Sequence, residues 1–222
     1  MKRILPFFFC LFLAACSTWP HDPRGTTETV RGGVMVVGVS ENPPWVTRDG
    51  DTPGGVEVDL VRQFAAEMDA EIDWQWGSLS EHLAALHQFE LHLAIGGLTQ
   101  SSPGSSEAGL TQPYYETDVV VGLPPGVPAP ARLDDTPIGV VRGTAVADYV
   151  RQAGADPLLL ADPAQIDLPT AVPAWQLDDL RLSPTPFTLH TLRHVMAVPP
   201  GENRWLVELE GFLQRQPPLD LK

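Results

Sequence analysis

Histidine is the residue type in this chain whose placement most invites a chemical reading. His82, His87 and His92 are spaced by five, a step that on a helix turns successive side chains away from a common face. His92 also falls on the strand that follows the helix, so the three cannot share one ion. His190 and His194 are close in sequence, but no cysteine and no fixed carboxylate pattern accompanies them, and zinc sites ask for such partners. No metal site is expected. A second chemical feature is Gly143-Thr144-Ala145, which opens a helix whose free N–H groups and dipole favour an anion.

The chain that carries these groups has 222 residues, 14 basic against 28 acidic side chains and a net charge of −14. Nucleic-acid affinity comes from Lys and Arg contacts to phosphate, so this balance excludes sequence-independent binding to nucleic acid. Lys2 and Lys222 are the only lysines, so positive charge in the body comes from arginine. The 23 prolines and 19 glycines exclude a coiled coil.

Met1-Lys2-Arg3 is a cationic start, and residues 4–15 are apolar apart from Cys10. The run is too short for a permanent transmembrane helix and has the proportions of a secretory signal. Its end, Leu13-Ala14-Ala15-Cys16, resembles the bacterial lipoprotein processing signal. That resemblance implies a diacylglycerol on Cys16, cleavage before it and acylation, with palmitate for example, of the new amine. Two or three chains suffice for a stable membrane anchor. The bland alternative is an ordinary secretory signal. On the lipoprotein reading Cys10 leaves and Cys16 is consumed, which excludes cysteine nucleophiles, zinc–thiolate sites and iron–sulfur centres. The processed chain keeps 12 basic against 28 acidic residues, a net of −16. Residues 16–33 are polar and read as a tether.

The body alternates strands and helices. Val34 to Val39 predicts a buried strand, Ser40 to Trp45 a proline loop, Asp49 to Gly55 a turn. A helix is expected from Asp59 with Leu60, Val61, Phe64, Ala65 and Met68 on one face. Ile72, Trp74 and Trp76 have strand period. Ser78 and Glu81 form a capping box before Leu79, Leu83 and Leu86. Strands are expected at Leu91 to Ile95, Val119 to Gly122, Ile138 to Val141, Leu158 to Leu160 and Val195 to Val198. A helix opening at Gly143 should stop at Gly154. Asn203 is placed to cap a last helix carrying Trp205, Leu206, Leu209, Phe212 and Leu213. The stretch from Pro163 to Pro186 resists assignment. The class is α/β with a mainly parallel sheet.

The order of motifs is specific. Val36-Val37-Gly38-Val39-Ser40, Asn42-Pro43-Pro44-Trp45, Gly55-Val56-Glu57-Val58-Asp59-Leu60, Ala94-Ile95-Gly96-Gly97-Leu98-Thr99 and Thr111-Gln112-Pro113-Tyr114-Tyr115 resemble the family 3 extracellular solute-binding proteins of polar amino-acid ABC transporters. The resemblance resumes at Gly139 to Ala145 and at His194 to Gly201. It implies a periplasmic-binding-protein-like type II fold, two α/β lobes joined by two crossing strands. Lobe 1 would be 34–115 plus 195–216, and a shortened lobe 2 would be 116–194. Crossings are expected near Tyr114 to Asp118 and Leu189 to Val195.

By the same resemblance Trp45 and Trp76 are stacking walls for a ligand, with core filler and loop cover as the alternatives. The segment Gly97-Leu98-Thr99, with Ser101 next and Asn42 in the facing loop, would hold a ligand through main-chain groups and hydroxyls; Ser101 otherwise sits in a solvated loop. Gly143, Thr144 and Ala145 would supply the second lobe's anion site. Two departures stand out. The arginine that clamps a ligand carboxylate in the family falls here on Gly104, with no arginine between Arg62 and Arg132. The pattern that supplies a carboxylate for the ligand's ammonium is replaced by the proline-rich stretch with Trp175, Asp178 and Asp179. Arg142 is the candidate substitute anion anchor, or an exposed surface arginine.

The function implied is a lipid-anchored binding protein in the bacterial cell envelope, facing the periplasm or exterior. It would be a monomer without cofactor, handing a small polar ligand, an amino acid or related small carboxylate, to an ABC transporter permease. The alternative is a transport-deficient sensor or partner-docking lipoprotein. An enzyme, such as the dehydratases related to this fold, needs a paired acid and base. Only Glu41, Glu57 and Asp59 are near the expected cleft, with Glu57 and Asp59 expected at the core edge and helix start, so no enzymatic activity is expected.

Overall fold

A computed structural model describes residues 20–141, 145–160, 167–219 and 221. Two five-stranded sheets, each with its own apolar core, organise them. In the first, β1 (Val34–Val39) lies beside β4 (Glu71–Trp76) and β5 (Leu93–Ile95), both parallel to it. The crossovers are α2 (Val56–Glu67) and α3 (Leu79–His87), and a short hairpin, β2 (Thr47–Asp49) with β3 (Thr52–Gly54), leads into α2. The expected apolar stripe of α2 is buried, from Leu60 to Met68. The helix begins a turn before Asp59, because the N–H groups of Val56 and Glu57 donate to the Pro44 and Trp45 carbonyls at 3.1 Å each. Gly55 makes this approach possible: at φ +100°, a Cβ there would lie 2.5 Å from the Trp45 carbonyl oxygen. The capping box forms as expected, Ser78 N–H donating to Glu81 at 2.8 Å and Glu81 N–H to Ser78 at 3.3 Å.

The first sheet ends with β12 (Ala197–Val198) and β6 (Gly109–Leu110), both in antiparallel pairs. Over it lies α5 (Asn203–Gln214), whose Trp205 and Phe212 rings sit 5.2 Å from Phe64.

The tether expectation fails from Pro20 onward. Residues Thr26–Val30 form α1, with Thr26, Thr27 and Val30 buried. Two acids lock it down. Asp22 accepts the N–H groups of Arg204 and Trp205 at 2.8 and 3.0 Å, and that of Thr27 at 3.0 Å. Glu202 accepts those of Arg24 and Thr26 at 2.9 Å each. Each carboxylate thus satisfies free donors at helix starts, and Asn203 is not the cap; its side chain donates to Gly201. Burial alone would raise the Asp22 carboxyl, but the Thr27 hydroxyl, which also donates to it, and the three main-chain donors outweigh burial and hold it below the usual range.

The second sheet runs β11 (Ser183–His194), β7 (Tyr115–Leu123), β10 (Thr170–Pro173), β8 (Pro137–Val141), β9 (Asp156–Leu160), with α4 (Val146–Gln152) crossing from β8 to β9. It is not mainly parallel: β7 pairs antiparallel with both β10 and β11. The proline-rich stretch resolves here from residue 167, its first residues, 163–166, lying outside the described residues. β10 is four residues with no alternation to betray it, and Pro184 and Pro186 are tolerated because β11 is an edge strand. The strand expected at Val195 is divided, β11 ending at His194 and β12 starting at Ala197. Between the cores, β7 and β11 run side by side, pairing Tyr115 with His194, Glu116 with Arg193, Thr117 with Leu192 and Asp118 with Thr191.

Candidate ligand-binding cleft

The loop after β1 is closed by Asn42 and Val46, which exchange main-chain hydrogen bonds at 2.9 and 3.1 Å. Asn42 also donates its side chain to the Gly96 carbonyl at 2.9 Å, tying this loop to the one after β5. Trp45 is 3% exposed. Its ring stacks on His194 at 3.9 Å and meets Tyr115 edge-on at 5.4 Å. Gly97, at φ +68°, lies so close that a Cβ would sit 2.3 Å from the indole.

Glu57 governs the second loop. It is wholly buried, and one carboxylate oxygen accepts the N–H groups of Gly96 and Gly97 at 2.7 and 2.9 Å. The other accepts the Tyr114 hydroxyl. Burial outweighs these three donors and pushes the carboxyl from 4.5 to about 7. Burial and the facing carboxylate push the Tyr114 phenol well up. The main-chain donors expected to meet a ligand at Gly97 therefore point at Glu57 instead. Nor does Glu57 sit at the core edge serving its own helix. Thr99 N–H likewise donates to Ser102 at 2.9 Å, while its hydroxyl lies 3.2 Å from those of Ser101 and Ser102.

These loops face the second sheet across a cavity of about 280 Å³, at the small end for a ligand site. Asn42, Trp45, Gly97, Thr99, Ser101 and Ala145 line it, as do Tyr149, Trp175, Gln176, Leu192 and His194. Ser101 and Tyr149 hydroxyls are 3.4 Å apart across the gap, and the Tyr149 ring stacks on His190 at 4.0 Å. A hollow of about 310 Å³ beside Tyr114 and Pro217 is as large, but its lining comes from the first sheet's side and the C-terminal tail.

Two expected residues lie elsewhere. Trp76 ends β4, the edge strand, whereas the cleft loops follow β1 and β5; its indole N–H donates to the Asp51 carbonyl at 3.0 Å and its ring lies under Arg48 at 4.5 Å. Leu98 is core, packed with Leu83, Leu86 and Val195. Cys16, Arg142, Gly143 and Thr144 lie outside the described residues. Gly104, at the position of the family arginine, starts a 3₁₀ turn at φ +79°.

Tyr149, Trp175, Gln176 and His194 were not among the expected lining residues. His194 is 4% exposed and, among the described residues, neither ring nitrogen has a hydrogen-bond partner. Burial pushes it down from 6.5 to about 4, with the nearby Gly97 main chain opposing this in part. It is therefore neutral at physiological pH. Trp175 was visible as an aromatic in the proline-rich stretch; Tyr149 carried no signal beyond its helix. Two other histidines have structural work: His82 lies 3.2 Å from the Val39 carbonyl and His92 accepts the Val36 N–H at 3.0 Å.

Residues 35–216 match the model of bacterial extracellular solute-binding proteins, family 3. The chain belongs to this family. Solved structures show what this family 3 protein is similar to in fold. The GluR0 ligand-binding core in complex with L-glutamate is 20% identical over 82% of this chain and 92% of its own, with a TM-score of 0.63. The ancestral cationic amino acid solute-binding protein AncCDT-1 is 14% identical over 86% and 92%, with a TM-score of 0.70. The BvgS periplasmic domain of B. pertussis is 18% identical over 88% of this chain and 42% of that one, with a TM-score of 0.72. No curated protein matches the chain in sequence. The fold of this family 3 protein is the two-lobed type II periplasmic-binding architecture. Among the described residues no helix is long and apolar enough to cross a membrane.

Proposed function

We propose that this family 3 protein is a lipid-anchored extracytoplasmic binding protein that captures a small polar solute, an amino acid or related small carboxylate, for an ABC transporter. The observation that carries the reading is the cleft between the two sheets, lined from one side by Trp45, Thr99 and Ser101 and from the other by Tyr149, Trp175 and Gln176. Aromatic walls and hydroxyls converging on a small volume are the makings of a binding site rather than a reaction centre. Glu41 is absent from the lining, Asp59 is exposed and paired with Arg62 at 3.0 Å, and Glu57 is sealed. The similar GluR0 and AncCDT-1 structures carry L-glutamate and the description "cationic amino acid" in their own names, which supports a solute of that size.

Isothermal titration against amino acids and small carboxylates tests it directly, and silence across a broad panel overturns it. The anchor is tested by incorporation of an alkyne-tagged palmitate, lost in Cys16→Ser. The sensor or docking alternative is favoured by Gly104 in place of an arginine; co-purification of a permease would decide against it.

A further inference from the structure

Among the described residues, no carboxylate and no guanidinium lines the cleft, in a chain with 28 acids. Several nearby acids are spent elsewhere, and the exposed Glu41, Asp178 and Asp179 are not among the lining residues. Glu57 stands behind the Gly96–Gly97 wall with both oxygens occupied. Glu116 pairs with Arg193 at 3.2 Å, and Asp118 accepts the Thr191 hydroxyl at 2.6 Å. His194 is held neutral by burial and its ring is covered by Trp45. The cleft offers instead the hydroxyls of Thr99, Ser101 and Tyr149 and the Gln176 amide.

An ammonium entering this space would give up water without gaining a counter-ion, at a cost of several kcal/mol. Hydroxyl and amide groups can still donate to a ligand carboxylate and both donate to and accept from a ligand hydroxyl. We propose that the cleft selects solutes without a cationic group, hydroxy acids and related small carboxylates, over the corresponding amino acids. This rests on the binding reading above and narrows it.

The test is titration of the mature protein with pairs that differ only by ammonium against hydroxyl: L-alanine and L-lactate, L-leucine and 2-hydroxy-4-methylpentanoate, L-phenylalanine and 3-phenyllactate, L-glutamate and 2-hydroxyglutarate. In every pair that binds, the hydroxy acid is expected to be tighter by about tenfold or more. Equal or tighter binding of the amino acids overturns the inference and leaves the binding reading standing. Silence from all pairs and from the broad panel removes both. Gln176→Glu supplies the missing carboxylate, and should move the preference toward the amino acid by about tenfold or more. An unchanged preference would show that the missing carboxylate is not what discriminates.

Discussion

Two buried ionisable side chains, Glu57 behind the cleft and His194 in its wall, pull the stability in opposite directions as pH changes. Glu57 has its carboxyl raised from 4.5 to about 7, so the folded state holds its proton more tightly; that contribution is full below pH 4.5 and is lost as pH rises to about 7. His194 is lowered from 6.5 to about 4; its contribution is full above pH 6.5 and is lost as pH falls toward 4. Each is worth at most about 3–4 kcal/mol at about 1.4 kcal/mol per pH unit. Over pH 4.5 to 6.5 they largely cancel. Urea melts should therefore show Glu57→Gln gaining stability with rising pH, and His194→Phe losing it. A Glu57→Gln profile parallel to the parent's would refute the assignment. Neither role was legible beforehand. Glu57 reads as an ordinary first-turn acid, because its partners are the N–H groups of Gly96 and Gly97, 39 and 40 residues away. His194 reads as a hinge-strand histidine, because only the fold brings Trp45 onto its ring.

Elements were legible where a local rule sufficed. The Ser78–Glu81 box, the α2 stripe and the alternation of β4 are set by neighbours in sequence, and all are found. The α1 segment was missed because its amphipathic run is five residues long and one of its two capping acids, Glu202, comes from across the chain. That arrangement makes a prediction at the same scale. Asp22→Ala removes acceptors from the starts of two helices, at about 1 kcal/mol for each cap. A calorimetric Tm lower by about 4–8 °C is expected, with Asp22→Asn falling between. No change in Tm would mean water satisfies those donors equally well. Trp76 teaches the converse lesson: strand period found its face, but only the strand order placed it on the outer edge.

Across the whole molecule, the two halves meet through the paired strands β7 and β11 and, among the described residues, through a polar contact over the cleft, Ser101 to Tyr149. Such a contact forms only when the halves are together, so it should favour the closed arrangement without touching either core. Tyr149→Phe is expected to weaken ligand affinity about fivefold, the worth of one ordinary hydrogen bond. Solution scattering should show a larger mean radius for the variant without ligand. Identical scattering and affinity would mean the contact carries no closing free energy.

The docking of Asp22 onto α5 also sets a distance. With the lipid proposed on Cys16, only six residue steps separate the acyl chains from a point fixed on the folded body, a reach of about 20 Å even when fully stretched. The leash is short enough to hold the α1–α5 end facing the bilayer, so the molecule would stand on its membrane in a restricted pose instead of roaming the space above it.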